Sequence, residues 1–298
     1  MTTPDPQDDA YWLETAEIRR SFDRVSKNYD RVSVIEPRVR NEIIERLELV
    51  DFQPDVILDA GCATGMLSRQ LLKRFRRGRV LALDLSVGML RHACNKKPLF
   101  RKLDAICADA SSIPLPDASV DLVCSNLMLH WCNDLDQVLR EFRRILTPRG
   151  LLTFSTLGPD TLTELRQAWR SVDGDIHVNR FADMHDIGDA LIRAGLTEPV
   201  MDVDYYRLTY GQLTDLMKEL KSVGAHNMNR GRPRGLTSRS RLTAVEDAYL
   251  AISGDDRLPV TCEVVFGQAW APREQQTMER KEVLIPVTQI GRKERNKQ

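Results

Sequence analysis

Three aspartates and a loop of small residues are the part of this sequence whose types and spacing could do chemistry. The stretch "LDAGCATG" places Asp59, Gly61 and Gly65 in a D-x-G-x-x-x-G pattern. A dinucleotide-binding loop would need further glycines at positions 63 and 66, where this chain has alanine and methionine. The pattern therefore argues against a bound pyrophosphate and predicts a ligand that lies directly against the loop backbone.

Two further aspartates follow strand-like segments, as Asp59 does. Asp84 ends "LALD" and is predicted to accept both hydroxyls of a ribose. Asp109, with Ala110, is predicted to accept from an adenine amino group, and Asp59 to orient the loop and bind a cationic group through water. Any one of these aspartates alone could equally well be a helix N-cap. Three aspartates that each follow a strand of the same sheet indicate a ligand site. They suit a nucleoside with a positive group and no phosphate, and S-adenosylmethionine is such a molecule.

The elements that must position these residues alternate between short apolar strands and amphipathic helices. Strands are predicted at "VILDAG", "RVLALDL", "LDAICADA", "VDLVCSNLML" and "LLTFSTL", with helices between them and a helix end at "TPRG". Two later strands, "PVMDVDYYRLTY" and "PVTCEVVFGQAWA", are typical of a β-hairpin that carries an insertion. We predict an α/β fold with a doubly wound, mostly parallel sheet, an antiparallel final strand and a helical insertion before it.

This pattern divides the chain into five predicted parts. They are N-terminal helices that cover the cofactor site (1–50), a core (51–210), a helical and arginine-rich substrate-recognition insertion (211–257), a final core strand (258–271) and a flexible tail (272–298).

Composition narrows the class of protein without naming a partner. Lys plus Arg equals Asp plus Glu at 43 each, and 42% of the residues are hydrophobic, as in an ordinary globular enzyme. No apolar run is long enough to span a bilayer, and the acidic start does not resemble a secretory signal. The six cysteines form no CxxC pair and have no histidines at zinc spacing. We therefore expect a cytoplasmic monomer without a metal, a membrane or a nucleic-acid partner.

The motifs around the aspartates resemble those of class I S-adenosylmethionine-dependent methyltransferases, which have a Rossmann-like fold. "VILDAGCATG" is similar to their first motif, "LALDLS" to their second and "ICADASSIPLPDASVDLVCSNLMLHW" to their third and fourth. This interpretation adds Cys62, Leu85, Met89 and Asn126 to the predicted cofactor contacts. Ala63 replaces the glycine usual at the middle of the loop; we expect its methyl group to cost little, although it could shift cofactor affinity.

Residues outside the core resemble a narrower family. "IRRSFDRVSKNYDRVSVIEPRV" and C-terminal blocks such as "LGPDTLTELRQAW" are similar to the malonyl-acyl-carrier-protein O-methyltransferases of biotin synthesis. The C-terminal blocks also resemble mitochondrial complex I assembly factors, and Phe22, Tyr29 and Asp30 favour the first family. The resemblance implies methylation of the free carboxylate of malonyl-acyl carrier protein. The alternatives are an enzyme or a non-catalytic assembly factor that acts on a protein substrate of respiratory complex I, and the sequence leaves open a coenzyme A thioester.

Such a reaction asks for few catalytic groups. A carboxylate is already ionised at pH 7, so the reaction needs alignment and exclusion of water rather than a general base. Tyr29 and His130 are the candidate catalytic residues, Tyr29 because the family's entry helix folds over the cofactor. His130 and Trp131 are candidates to line an acyl channel, and packing in the core is an equally good explanation of both.

A basic segment lies within the predicted insertion. No acidic residue occurs between Lys221 and Ala244. The arginines there are predicted to bind the acidic carrier protein or its phosphate-linked arm. They are Arg230, Arg232, Arg234, Arg239 and Arg241. A solvated loop or an RNA-backbone site are the alternatives, and the absence of aromatic residues from the loop disfavours RNA.

Overall fold

Seven strands form one sheet in the computed structural model, which describes residues 9–96, 103–254 and 256–273. The strands are Val56–Ala60 (β1), Arg79–Asp84 (β2), Leu103–Cys107 (β3), Val120–Asn126 (β4), Leu146–Leu157 (β5), Thr197–Tyr210 (β6) and Leu258–Trp270 (β7). Their order is β3-β2-β1-β4-β5-β7-β6, and β7 runs antiparallel to the other six strands. The predicted fold class, with its antiparallel final strand, is confirmed.

Helices cover both faces of this sheet. The described helices are Thr15–Val25 (α1), Tyr29–Val32 (α2), Ile35–Glu48 (α3), Met66–Arg74 (α4), Val87–Asn95 (α5), Leu135–Ile145 (α6), Thr163–Arg170 (α7), Met184–Arg193 (α8), Leu213–Ser222 (α9) and Arg239–Ser253 (α10). Within the described residues, no helix is both long and apolar enough to cross a bilayer.

The two faces of β1 show how the strands hold the layers together. Ile57 joins the core to which α3 contributes Ile43, whereas Leu58 joins the opposite core, to which α6 contributes Phe142 and α8 contributes Leu191. All five of these side chains are fully buried. Burial of a side chain of this size contributes about 1.5–3 kcal/mol, so the apolar run of β1 fixes the centre of the sheet.

The insertion between β6 and β7 builds a third core beside the sheet. Helices α9 and α10 pack with α7 around Trp169, Leu216 and Tyr249. The Tyr249 hydroxyl donates to the carbonyl of Pro259 at 2.7 Å, which satisfies this buried polar group at the start of β7. The hairpin that carries a helical insertion is therefore present as predicted, although the exact domain limits stay predictions.

The segment "TPRG" was predicted only as the end of a helix, but in the structure it is part of a strand. Helix α6 ends at Ile145 as expected, but the next residues already belong to β5. Pairing between β4 and β5 shifts register after Leu146, and Arg149 adopts a left-handed backbone with φ of 63°. A β-bulge in β5 accommodates the residues that have no partner on β4. Pro and Gly after a helix predict where the helix ends, but they do not predict this bulge. The predicted flexible tail lies almost wholly outside the described residues.

Candidate active site

The loop after β1 is fixed to the end of β2 by backbone hydrogen bonds. The amides of Gly61 and Cys62 donate to the carbonyl of Leu83 at 2.8 and 2.9 Å. The amide of Ala63 donates to Asp84 Oδ2 at 2.9 Å, and Ala63 has a left-handed backbone with φ of 45°. A left-handed non-glycine residue costs about 1–2 kcal/mol, so the hydrogen bond to Asp84 helps to hold this turn.

Both glycines of the loop are required by the protein's own packing. A Cβ atom on Gly61 would lie 2.4 Å from Cγ of Met128, and one on Gly65 would lie 2.7 Å from Cβ of Ala93. Both glycines also have φ near +75°, a region that favours glycine. Close approach of a ligand is therefore not the only reason for the small residues, which the sequence pattern by itself did not show.

Asp84 and Asp109 are held in place at the carboxyl ends of β2 and β3. Besides Ala63, the amide of Ser86 donates to Asp84 Oδ1 at 2.8 Å. Asp109 Oδ1 accepts from the amide and the hydroxyl of Ser111 at 2.9 and 2.8 Å. Both carboxylates therefore cap local turns and also face the cavity described below. Burial raises the pKa of Asp84 to about 6.

Asp59 is a buried carboxylate with too few partners. It is 1% exposed, the Ser68 hydroxyl donates to its Oδ2, and its Oδ1 has no hydrogen-bond partner among the described residues. Burial raises its pKa to about 7, and the nearby carboxylates of Asp84 and Glu36 add to this effect, whereas the bond from Ser68 opposes it. Among the described residues, Ser68 donates to this carboxylate but no cation pairs with it.

A cavity of about 250 Å³ brings most of the predicted cofactor residues together. Its lining includes Asp59, Gly61, Cys62, Asp84, Leu85, Asp109, Ala110 and Asn126. Gly65 and Met89 are not in the lining; Met89 is fully buried in α5, and its amide bonds to the Ser86 hydroxyl. Their contribution is to support the loop and helix behind the cavity.

The lining of this cofactor cavity is acidic. Its ionisable side chains, apart from Tyr29 and two cysteines, are Glu36, Asp59, Asp84, Asp109 and Asp134. No Lys, Arg or His of the described residues lines it. Buried carboxylates without counter-ions favour a cationic ligand. The lining therefore fits S-adenosylmethionine, whose sulfonium and ammonium groups are positive, better than a nucleotide with phosphates.

A second cavity of about 650 Å³ adjoins the first and has a different lining. The cavities share Phe22, Tyr29, Glu36, Leu127 and Trp131. Beyond these shared residues, the second cavity is lined largely by apolar side chains from α7, α9 and β7. Its basic side chains are His130, His177, Lys221, His226 and Arg232. Glu36 and Glu219 are its acidic side chains. This substrate cavity therefore favours an elongated, largely apolar ligand.

The two candidate catalytic residues lie near the junction of the cavities. Burial, together with the carboxylates of Glu36 and Asp84, raises the pKa of Tyr29, which therefore keeps its proton at neutral pH. Burial lowers the pKa of His130 to about 3, and its Nδ1 has no partner among the described residues. His130 is thus a neutral imidazole and a very weak base, so it is better suited to position a substrate than to remove a proton.

The sequence interpretation missed Glu36. Its carboxylate accepts from Nη1 of Arg40 at 2.8 and 2.9 Å and from Nδ2 of Asn126 at 3.1 Å. Asn126 in turn accepts from the Ser155 hydroxyl at 2.8 Å. This chain joins α3 to the ends of β4 and β5 where the two cavities meet. The sequence signal that could have identified Glu36 is its i, i+4 spacing from Arg40, next to the buried positions of α3.

The predicted arginine cluster does not stay together as one free patch. Arg230 pairs with Glu14 and Asp9 at the N-terminal side, and Arg232 pairs with Glu17 of α1 at 2.6 Å. Arg241 pairs with Asp173 and Asp175. Arg234 and Arg239 are exposed and have no acidic partner among the described residues. Only Arg232 of the five lines the substrate cavity.

One group of side chains in the described residues has metal-ligand spacing. Asp173, Asp175 and His177 bring ligand atoms within 4.8 Å of one another. Arg241 Nη2 already pairs with both carboxylates, and the His177 ring stacks on Trp169 with centroids 3.6 Å apart. The guanidinium supplies the positive charge that a metal would otherwise provide.

Comparison with known proteins identifies the family. The family described as "Methyltransferase domain" matches residues 58–154. A malonyl-[acyl-carrier protein] O-methyltransferase from a Methylovorus species is 48% identical over 271 residues, which cover 89% of this chain and 92% of that protein. This chain belongs to the malonyl-acyl-carrier-protein O-methyltransferase family. A relative of the same name from Halorhodospira halophila is 44% identical, with 88% and 90% of the two chains covered.

Solved structures agree on the fold. A putative methyltransferase from Bacillus halodurans superposes with a TM-score of 0.56 at 14% identity, covering 78% of this chain and 99% of that one. A phosphoethanolamine N-methyltransferase from Haemonchus contortus, in complex with S-adenosyl-L-methionine, gives 0.55 at 18% identity, covering 86% and 60%. As a member of its family, the present chain is an O-methyltransferase.

Proposed function

We propose that this enzyme transfers the methyl group of S-adenosylmethionine to the free carboxylate of a malonyl group held on acyl carrier protein. The observation that carries the proposal is the junction of an acidic cavity with a larger, mainly apolar cavity at Tyr29, Glu36 and Trp131. The acidic cavity suits a cationic methyl donor, and the larger, mainly apolar cavity suits an acyl chain on its carrier arm. The reaction takes place where they meet, and its product is a methyl ester for biotin synthesis.

S-adenosylmethionine, when bound, supplies an electrophilic methyl group on a positively charged sulfur. An oxygen of the malonyl carboxylate forms the new bond to carbon, and the carbon–sulfur bond breaks with its electrons left on sulfur. No proton moves, because the carboxylate is ionised at neutral pH. The task of the protein is therefore to align the two groups and to exclude water.

The aromatic residues at the junction are suited to this task. The ring of Phe22 packs edge-on against Trp131 with centroids 5.3 Å apart, and against Tyr29 at 6.5 Å. All three rings line both cavities, so they form an apolar surface where the cavities meet. Because Tyr29 keeps its proton, its hydroxyl can donate a hydrogen bond to the malonyl carboxylate and hold it for attack.

We assign the five arginines two roles in recognition of the carrier. Arg230, Arg232 and Arg241 form ion pairs that hold the insertion to α1 and to the loop after α7. Arg234 and Arg239 are exposed, without an acidic partner in the part of the chain that the structure describes, and they would attract an acidic carrier protein. A role in respiratory complex I assembly, the alternative from the C-terminal blocks, is not favoured, because the relatives are named as malonyl-carrier methyltransferases.

Mass spectrometry of malonyl-acyl carrier protein after incubation with the enzyme and S-adenosylmethionine tests the proposal. We expect a mass gain of one methyl group on the acyl moiety. Asp84→Asn should abolish it, whereas Asp104→Asn, the same change at an exposed strand position outside both cavities, should not. Cofactor binding by calorimetry without any methyl gain would refute malonyl-acyl carrier protein as the substrate.

A further inference from the structure

Asn179 is an amide side chain in the mainly apolar wall of the substrate cavity. It lines this cavity and not the cofactor cavity, and it is only 9% exposed. The proposed methyl transfer at Tyr29 and Glu36 gives it no role. A buried amide needs partners for both its oxygen and its nitrogen, so the partners of Asn179 show what it can offer a ligand.

A chain of three amides fixes the orientation of the Asn179 side chain. The chain starts at a backbone donor, because the amide N–H of Asn229 donates to Oδ1 of Asn227 at 3.1 Å. Nδ2 of Asn229 donates to Oδ1 of Asn227 at 2.8 Å and to Oδ1 of Asn179 at 3.0 Å. The opposite orientation of the Asn229 side chain would place two amide oxygens 2.8 Å apart. The oxygen of Asn179 is therefore its acceptor in this network, and its nitrogen takes no part in it.

Nδ2 of Asn179 is left as an accessible donor. It has no hydrogen-bond partner among the described residues, yet it is not closed off from solvent as Oδ1 of Asn229 is. Since Asn179 lines the substrate cavity, its two N–H groups are available to an acceptor there. Asn229 is fully buried, and the lack of a donor to its Oδ1 in the described part of the chain is destabilising. The network thus gives up stability while it holds Asn179 in one orientation.

The network is connected on two sides to the aromatic wall at the junction. Phe181, two residues after the donor, packs edge-on against the ring of His130 with centroids 5.9 Å apart. On the other side, Met228 precedes Asn229 and belongs to the apolar cluster against which Trp131 packs. Trp131 lines both cavities. The donor is therefore anchored to the wall that continues into the junction.

We propose that Nδ2 of Asn179 donates a hydrogen bond to the thioester carbonyl oxygen of the malonyl group. The inference rests on the proposed function. Methyl transfer requires the malonyl carboxylate at the junction, where Tyr29 holds it. The thioester carbonyl is one methylene farther from the methyl donor, so it lies on the side of the substrate cavity, which Asn179 lines. Contacts at both the carboxylate and the carbonyl restrict rotation about this methylene and align the carboxylate for attack.

Two substrates that differ only at this carbonyl test the proposal. In the first, acyl carrier protein holds malonyl as a thioester. In the second, its arm holds a 2-carboxyethyl group as a thioether, which replaces the carbonyl with a methylene. The ratio of kcat/KM for the thioester to kcat/KM for the thioether is measured in wild type and in Asn179→Asp. This variant keeps the oxygen that accepts from Asn229 and loses the donor.

We expect the ratio to fall about fivefold in Asn179→Asp, because the lost hydrogen bond can form only with the thioester. The intrinsic reactivity of each substrate is the same with both enzymes, and repulsion from the new carboxylate acts on both substrates. The change in the ratio therefore isolates the contact with the carbonyl. Asn179→Ala, which also lacks the donor but adds no charge, should lower the ratio in the same way.

Asn41→Asp is the matched control. Oδ1 of Asn41 accepts from Nε2 of Gln70 at 2.9 Å, much as Oδ1 of Asn179 accepts from Asn229. Asn41 is exposed on α3 and lines neither cavity. Its ratio should equal that of wild type. The melting temperature and S-adenosylmethionine affinity by calorimetry should show that the variants at both positions are folded and bind the methyl donor.

Each result decides the question. A ratio in Asn179→Asp and Asn179→Ala equal to that of wild type overturns the contact with the carbonyl and leaves the proposed function standing. This holds even if both substrates become slower by the same factor, because an equal loss means that Asn179 supports the fold or another part of the substrate. Failure of the wild-type enzyme to methylate malonyl-acyl carrier protein overturns the proposed function and this inference together.

Discussion

Replacing Asp59 with asparagine should change how stability depends on pH. Asp59 is 1% exposed, and burial raises its pKa from an ordinary 3.8 to about 7. The folded protein therefore keeps a proton on Asp59 at pH values where the unfolded chain has lost it. Since the folded state binds more protons, the stability that this group contributes is complete below about pH 4 and is lost as the pH rises through 7.

The size of the effect follows from the two pKa values. Between pH 5 and pH 8, titration of Asp59 alone should lower the free energy of unfolding by about 2.5 kcal/mol. Asparagine cannot titrate, so the stability of Asp59→Asn relative to wild type should rise by about this amount over the same range. Urea unfolding, followed by tryptophan fluorescence at several pH values, measures the difference.

Asp104→Asn is the matched control, because Asp104 is exposed on β3 and its ion-pair partner among the described residues is Arg79. Its stability relative to wild type should not depend on pH. A difference between Asp59→Asn and wild type that stays constant from pH 5 to pH 8 would refute the reasoning. The same carboxylate should favour a cation once ionised, so S-adenosylmethionine affinity should rise with pH in wild type and not in Asp59→Asn.

Three further predictions concern the junction and the loop. Glu36→Gln should lower the free energy of unfolding by about 3 kcal/mol in urea, because Arg40 is 5% exposed and loses its counter-charge. The double variant Glu36→Gln/Arg40→Met should regain much of the lost stability. No recovery would contradict a buried, unpaired Arg40 as the cause. Tyr29→Phe should fold normally and lower kcat about tenfold while leaving S-adenosylmethionine affinity within about twofold by calorimetry; an unchanged kcat would remove the proposed hydrogen bond. Gly61→Ala should abolish cofactor binding and lower the melting temperature, because its Cβ would lie 2.4 Å from Met128 Cγ; Met128→Ala should partly rescue the melting temperature, and failure to do so would assign the damage to the backbone φ instead.

Much of the fold and the core of the cofactor site were predictable from the sequence because their signals are local. Apolar strands of about five residues alternate with amphipathic helices, and this rhythm specifies a parallel sheet. Asp59, Asp84 and Asp109 each follow a strand, and parallel strands bring their carboxyl ends to one edge. The two long strands on either side of the insertion predicted the hairpin in the same way.

The tertiary structure decided what depends on residues far apart in the chain. Arg230 and Arg232 meet acids more than 200 positions away, so the sequence could show a basic loop but not its partners. The role of Glu36 arises only where α3 crosses the ends of β4 and β5. The clash that requires Gly61 comes from Met128. Each of these features depends on how separate elements pack. A small change in the distance between two elements decides whether their side chains form a hydrogen bond, form an ion pair, clash or do not touch.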